Sequence, residues 1–186
     1  VLANQAGPLG ISDSPIVLGV EGTNLAGSLG IGGRYTVGRD ILAVAAPGTS
    51  VNLIRALTNE TATLTGGLSV ATGGILTLGA VSGNNGTGSG GRLDILGPIS
   101  GAGVVTFGTT AAATSWGGTV ALLGNSNGYG INTYSGGSVF NNTRVEIGSD
   151  TYYTGLATAP TIISGPFGTG AMTWTNGEGG NSASFL

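Results

Sequence analysis

The side chains that could carry acid–base chemistry in this chain are eight carboxylates, and they are spread thinly. They are Asp13, Glu21, Asp40, Glu60, Asp94, Glu146, Asp150 and Glu178. Most glycoside hydrolases need two such groups facing each other across the scissile bond. Neither His nor Cys is present, and the five basic residues are Arg34, Arg39, Arg55, Arg92 and Arg144. The sequence therefore predicts no catalytic residue, no cofactor-binding residue, no metal ligand and no enzyme activity.

Two glycine motifs match catalytic or cofactor signatures, but neither has the context that the chemistry requires. Residues 86–91 fit G-x-G-x-x-G, which binds a pyrophosphate only where a helix follows. The residues that follow here, 92–96, have the pattern of a strand. Residues 124–128 fit the G-x-S-x-G nucleophile elbow, which needs a His base that this chain lacks. Both segments are interpreted as loops.

Three further groups of residues have a functional and a structural interpretation. Residues 90–94 depart from the calcium repeat G-G-x-G-x-D at its third glycine. The aromatic residues Trp116, Trp174, Tyr152 and Tyr153 could stack on sugars, but packing in the core or contacts at the corners are the prediction. Glycosylation sequons begin at Asn59, Asn85 and Asn141 and are interpreted as turn residues.

Composition excludes several classes of protein. The chain has 186 residues, of which 39 are Gly and 40% are hydrophobic, while only 7% are charged, so simple disorder is not expected. Glycine has no three-residue period, which excludes collagen. Apolar runs are far shorter than a membrane-spanning helix requires. A net charge of −3 with scattered arginines predicts no nucleic-acid partner. Because the first residue is Val1 and no signal peptide is visible, we expect a processed chain or part of a longer one.

The remaining pattern is a repeated unit of a glycine turn followed by a short apolar strand. Residues 131–147 show it best: Gly136-Gly137 forms a corner, Val139-Phe140 a strand, and Arg144–Ile147 alternates polar and apolar side chains. Further Gly-Gly pairs occur at 32–33, 66–67, 73–74, 90–91, 117–118 and 179–180. Such short strands are stable only when units stack on one another.

Some sixteen short strands and no helix are predicted along the chain. Residues 51–57 have the longest apolar run; a helical turn is the alternative there, and a strand is preferred. Residues 1–33 are the least regular part of a single segment spanning 1–186. Loop insertions are predicted at 83–91 and 149–160. An antiparallel sandwich competes with a parallel β-helix, and the glycine corners and three-residue strands favour the β-helix. With three strands per coil, it would have roughly five to seven coils and a length of roughly 25 to 35 Å.

The segment 132–151, NTYSGGSVFNNTRVEIGSDT, with 164–174, SGPFGTGAMTW, resembles the autotransporter-associated β-strand repeat of large bacterial surface proteins. Residues 66–79, 98–107 and 33–40 are similar to segments that precede this repeat. The resemblance covers roughly residues 30 to 180, and the insertion at 149–160 departs from it. It implies a right-handed parallel β-helix (β-solenoid), secretion, and a bacterial cell-surface or extracellular location.

The predicted function is a structural, non-enzymatic module of a secreted or cell-surface bacterial fibre or adhesin. The alternative is a carbohydrate-binding or carbohydrate-cleaving β-helix, with surface glycans as partners. A third hypothesis is an ice-binding solenoid, which needs a flat face of regularly spaced Thr. Only Thr61, Thr63 and Thr65 suggest such a face.

The ends of the chain lead to a prediction about partners. A β-helix leaves backbone groups and apolar core uncovered at both ends. The sequence offers no amphipathic helix as a cap, so we expect further coils at the ends. These are either adjacent repeats of a longer polypeptide or copies of this chain stacked end to end.

Overall fold

A computed structural model of the chain describes residue 9 and residues 13–45, 50–57, 59–81, 90–108, 118–124, 131–141, 143–154, 161–175 and 184–185. Strands, turns and bends make up this part of the chain, and none of it is helical. The strands are β1 (Ile16–Leu18), β2 (Ser28–Ile31), β3 (Thr36–Val37), β4 (Ile41–Ala43), β5 (Asn52–Ala56), β6 (Thr61–Leu64), β7 (Leu68–Val70), β8 (Ile75–Ala80), β9 (Arg92–Ile95), β10 (Ile99–Gly101), β11 (Val104–Gly108), β12 (Thr119–Leu122), β13 (Ser138–Asn141), β14 (Arg144–Ile147), β15 (Tyr152–Thr154), β16 (Thr161–Ser164), β17 (Met172–Thr175) and β18 (Ser184–Phe185).

Most of these strands form the three parallel faces of a β-solenoid. The first sheet has the order β1-β4-β7-β10, the second β2-β5-β8-β11-β13-β17, and the third β3-β6-β9-β12-β14-β18. Successive strands in the chain belong to successive sheets, and all pairings within the three sheets are parallel. The predicted solenoid is confirmed. The sandwich is excluded, because sandwich sheets pair antiparallel.

Four complete coils, each of three strands, span residues 16–122. Two further coils carry strands on the second and third faces only. On the first face of the fifth coil, Thr133 N donates to Ile99 O at 2.8 Å and Ser135 N donates to Gly101 O at 3.0 Å. In the sixth coil, Thr169 N donates to Tyr134 O at 2.9 Å. The winding therefore continues through six coils although the first sheet has only four strands.

The interior consists of rows of side chains that lie in register from coil to coil. One row of the second sheet is formed by Leu29, Ile54, Leu78, Phe107, Phe140 and Trp174. The rings of Phe107 and Phe140 stack with centroids 5.2 Å apart, and those of Phe140 and Trp174 are 4.9 Å apart. These spacings approach the ~4.8 Å between paired strands. Strand pairing itself thus sets the contacts of the core.

Arg39, in the corner between β3 and β4, holds the segment before the first coil by hydrogen bonds. Its Nη1 donates to Leu9 O at 2.8 Å, and Nε and Nη2 donate to Ser14 O at 3.1 and 2.5 Å. The Leu9 side chain is partly buried against the core. Since a guanidinium group offers five donors in a fixed plane, one side chain can hold both carbonyl groups.

An antiparallel ribbon interrupts the winding between the fifth and sixth coils. Strands β15 and β16 pair with each other, with an irregularity between Tyr152 and Tyr153, and their side chains are mostly exposed. The predicted insertion at 149–160 thus begins in this ribbon, whose second strand extends to Ser164; residues 155–160 lie outside the described part. Of the other predicted insertion, 83–91, only Gly90 and Gly91 are described.

Two strands of the first coil are short: β2 comprises Ser28–Ile31, and β3 only Thr36–Val37. Residues 52–56 form a strand, so the helical alternative is wrong. Short strands have poorly defined limits because tertiary pairing, more than residue type, decides where each begins.

Glycines at the corners allow successive coils to approach each other. A Cβ placed on Gly97, in the turn after β9, would overlap the carbonyl oxygen of Gly66 in the coil before it. On Gly38, in another corner, a Cβ would meet only Thr65 Oγ1, at 3.5 Å. The backbone at neither position has positive φ, so the two sites differ chiefly in space.

We expect Gly97→Ala to lower the free energy of unfolding by about 1 to 3 kcal/mol, because the methyl group forces two backbone turns apart. Thermal or urea unfolding followed by circular dichroism measures this. Gly38→Ala is the matched control and should change stability by less than about 0.5 kcal/mol. Equal effects of both substitutions would contradict the stacking of these corners.

Candidate functional site

The only ion pairs among the described residues form a cluster on the outer surface of the third sheet. Arg92 Nε donates to Asp94 Oδ1 at 2.6 Å within β9. The two terminal nitrogens of Arg92 bond both carboxylate oxygens of Glu146 on β14, with Nη2 donating to Oε1 at 3.0 Å. The guanidinium group therefore binds two acids, one of them in a bidentate geometry that is stronger than a single contact.

The cluster spans two strand spacings because the strand between is occupied by a small residue. Asp94, Ala121 and Glu146 form one row across β9, β12 and β14. Ala121 is fully buried although its row faces outward. Its methyl group leaves room for the long Arg92 side chain to extend over it, so the ion pair covers Ala121.

The electrostatics of this cluster oppose acid–base catalysis. The hydrogen bonds from Arg92 hold the pKa of Glu146 below its usual range. The hydrogen bonds to Glu146 raise the pKa of Arg92; burial opposes this rise, and the charges of Asp94 and Glu146 add to it. A catalytic acid needs a raised pKa, so that it still holds a proton at neutral pH. Glu146 instead stays ionised and bound to Arg92.

The other carboxylates do not converge on one point. Asp13, Glu21, Asp40 and Asp150 are exposed. The Asp40 carboxylate accepts a hydrogen bond from Gly67 N at 2.7 Å and so closes a corner. The described residues hold no group of three acids able to bind a metal ion. Glu178 lies outside the described residues.

The glycine motifs are only partly described. Residues 82–89 and 125–130 lie outside the described part, which includes most of both motifs. Gly91 is followed directly by strand β9, and not by the helix that a dinucleotide site requires. Gly124, the first residue of the second motif, has φ +70°, as in a turn.

The aromatic residues and sequons occupy different surroundings. Trp174 is half exposed and stacks on Phe140, so it is an extension of the core. Tyr152 and Tyr153 are exposed on the ribbon. Trp116 and Asn85 lie outside the described residues. Asn59 has φ +61° and Asn141 ends β13, so Asn59 has the backbone of a turn residue, as predicted.

An open cleft of about 610 Å³ lies where the second sheet turns towards the third. It is lined by Gly32, Gly33, Arg55, Leu57, Glu60 and Val81. Arg55 Nε is buried without a hydrogen-bond partner in the described part of the chain. Arg55 and Glu60 form no ion pair with each other. The cleft thus offers a cation, an acid and two apolar side chains to a polar ligand. Its walls come from three coils, which sequence spacing alone does not bring together.

The residues of the NTYSGGS segment, read from the sequence as a turn, are mainly buried. Asn132 accepts a hydrogen bond from Ile99 N at 2.8 Å and donates one to Pro166 O at 2.8 Å. The Tyr134 hydroxyl lies 2.5 Å from Ser138 Oγ, which in turn donates to Phe167 O at 3.1 Å. Burial raises the pKa of Tyr134. The alternation Asn132, Tyr134 was the signal that these side chains share one inward face.

Comparison with known proteins finds no significant relative. No family model matches the chain, and no curated protein or solved structure gives a significant match. In the described residues, no helix is long and apolar enough to cross a membrane. The resemblance of residues 132–151 and 164–174 to the autotransporter-associated repeat therefore stays a prediction.

We expect Arg92→Ala to lower the free energy of unfolding by about 1 kcal/mol at pH 7, because two partly exposed ion pairs are lost. Arg144→Ala is the matched control: Arg144 is exposed and forms no ion pair with a described residue. It should change stability by less than about 0.5 kcal/mol. A collapse in the control would show that Arg144 is buried.

The stability lost in Arg92→Ala relative to the wild type should become smaller as the pH falls. Since the pKa of Glu146 is lower in the folded chain, its contribution is full above the unfolded pKa, about 4.3. This contribution to stability is lost as the pH falls through the pKa that Glu146 has in the folded chain. Urea unfolding at pH 7 and pH 3 tests this. A difference between wild type and Arg92→Ala that grows on acidification would contradict the assignment.

Proposed function

We propose that this chain is a structural, non-enzymatic module of a secreted or cell-surface bacterial fibre or adhesin. The main support is the position of the segment that resembles the bacterial repeat. Asn132, Tyr134 and Ser138 are buried, and Asn132 and Ser138 donate hydrogen bonds to Pro166 O and Phe167 O of the coil that follows. The Tyr134 hydroxyl bonds Ser138 Oγ, so this group links the two coils through Asn132 and Ser138. A motif used for ligand binding would present its polar groups outward instead.

The electrostatics of the described surface also favour a structural role. Among the described residues, the only carboxylates at ion-pair distance from a basic side chain are Asp94 and Glu146, and both pair with Arg92. Secretion and a bacterial surface location are supported by the resemblance of residues 132–151 and 164–174. No nucleic-acid partner is proposed, given the acidic net charge of −3.

The same architecture supports end-to-end association of coils. Each coil uses its neighbours to satisfy strand hydrogen bonds and cover apolar rows. The outermost strands of the second sheet in the described part, β2 and β17, carry no ionisable side chain. Stacking on further coils would therefore bury no charge from these strands, which favours association.

Self-association of the purified chain tests this proposal. We expect long unbranched filaments in electron micrographs, and light scattering that rises with protein concentration. The physical reason is that a head-to-tail interface does not close on itself and so generates open fibres. A stable monomer at high concentration would contradict end-to-end association of this chain.

Carbohydrate recognition is the second candidate, and the cleft containing Arg55 and Glu60 favours it. Arg and Glu side chains can bond sugar hydroxyl groups, and Leu57 and Val81 provide apolar contact. On a panel of neutral and acidic polysaccharides we expect no hydrolysis or elimination product. Clear turnover would overturn the structural assignment. Calorimetric binding that Arg55→Gln abolishes and Arg144→Gln retains would establish the cleft as a glycan site.

A further inference from the structure

Arg55, on β5, carries a guanidinium group for which the described part of the chain supplies no partner. Its Nε is buried without a hydrogen bond, and neither ion pair among the described residues includes Arg55. Arg92 differs, because it binds the carboxylates of Asp94 and Glu146. A buried donor without a partner lowers stability, so the packing of the coils does not explain an arginine at position 55.

In the register of the second sheet, the strands on both sides of Arg55 offer it no polar side chain. Arg55 lies in an outward row between Gly30 on β2 and Gly79 on β8. A Cβ built on Gly30 would lie 3.9 Å from Arg55 Nε and 3.7 Å from Cδ2 of Leu57. The side chains of Arg55 and Leu57 therefore lie over β2, and the two glycines contribute no group that could pair with the cation.

Arg55 lines the open cleft of about 610 Å³ at the turn from the second sheet to the third. Sites for small molecules have volumes of about 300 to 1,000 Å³. Glu60 lines the same cleft and, like Arg55, belongs to neither ion pair of the described residues. Leu57 and Val81 add apolar surface, and two lining residues are glycines, which let a ligand approach the backbone. The cleft thus combines apolar surface with a cation and an acid that are unpaired in the described part of the chain.

We propose that this cleft binds an acidic sugar, a hexuronate, whose carboxylate pairs with Arg55. The inference rests on carbohydrate recognition, the second candidate function above, and specifies the ligand. A guanidinium group matches a carboxylate through two parallel hydrogen bonds. Glu60, when ionised, only accepts hydrogen bonds, and its donors are hydroxyl groups of the sugar. Hydroxyl groups across the pyranose ring from the carboxylate keep the two acids apart, while Leu57 and Val81 contact the apolar face of the ring.

Calorimetry with methyl glucuronide and methyl glucoside tests the carboxylate, because the glucoside has a neutral hydroxymethyl group in its place. We expect the glucuronide to bind about tenfold more tightly or better, since the glucoside leaves Arg55 unpaired. L-Alanine, a carboxylate with an ammonium group and no sugar ring, should bind more weakly than the glucuronide by a similar factor. Equal binding of the two glycosides would overturn the carboxylate site and leave carbohydrate recognition intact. Failure of both glycosides to bind would overturn both proposals, and L-alanine binding as tightly as the glucuronide would overturn the sugar as ligand.

Gly30→Asp tests the role of Arg55 without removing it. A Cβ at position 30 meets only ordinary contact distances, so the variant should fold, and its carboxylate would pair with the guanidinium group from within the chain. We expect Gly30→Asp and Arg55→Gln each to weaken glucuronide binding by about tenfold or more, with folding checked by circular dichroism. Gly30→Ala, which adds the Cβ without the carboxylate, and Arg144→Gln are the controls and should bind like the wild type. Undiminished binding by Arg55→Gln or Gly30→Asp, or an equal loss in Gly30→Ala, would overturn the pairing of the ligand with Arg55.

Discussion

Parallel pairing in register is the constraint on which the rest of this structure depends. Each strand lies directly on the equivalent strand of the previous coil, so equivalent side chains form rows along the solenoid. A row packs well only if neighbouring side chains fit against each other at the spacing between strands. Leu78, Phe107 and Phe140 satisfy this by apolar packing and ring stacking. In a row, one unsuitable residue affects two neighbours, which makes each position depend on the coil before and the coil after.

At the corners, the backbone turns of successive coils lie at the same close spacing. Gly66 and Gly97 occupy successive turns that are too close for a Cβ between them. Buried amides complete the turns: Asn52 bonds Gly27 N and Val44 O, and Asn132 bonds Ile99 N and Pro166 O. Without these amides, buried backbone groups would lack hydrogen bonds, which is costly in an apolar interior. Glycine and asparagine are therefore the means by which a chain of short strands turns corners without leaving voids or unpaired groups.

The surface of the solenoid separates two kinds of interaction. Its sides carry polar rows, in which Arg92 joins Asp94 and Glu146 across Ala121. The described second sheet ends at β2 and β17, and neither strand carries an ionisable side chain.

The sequence by itself favoured an all-β solenoid over a sandwich: the glycine pairs mark corners, and the alternation of Arg144–Ile147 places its polar and apolar side chains on opposite faces of a strand. Only the tertiary structure decided which residues meet, because register between coils depends on loop lengths that alternation does not measure. Hence the pairing of Arg92 with Glu146 over Ala121, the burial of Asn132 and Tyr134 in an apparent turn, and the cleft at Arg55 required the fold.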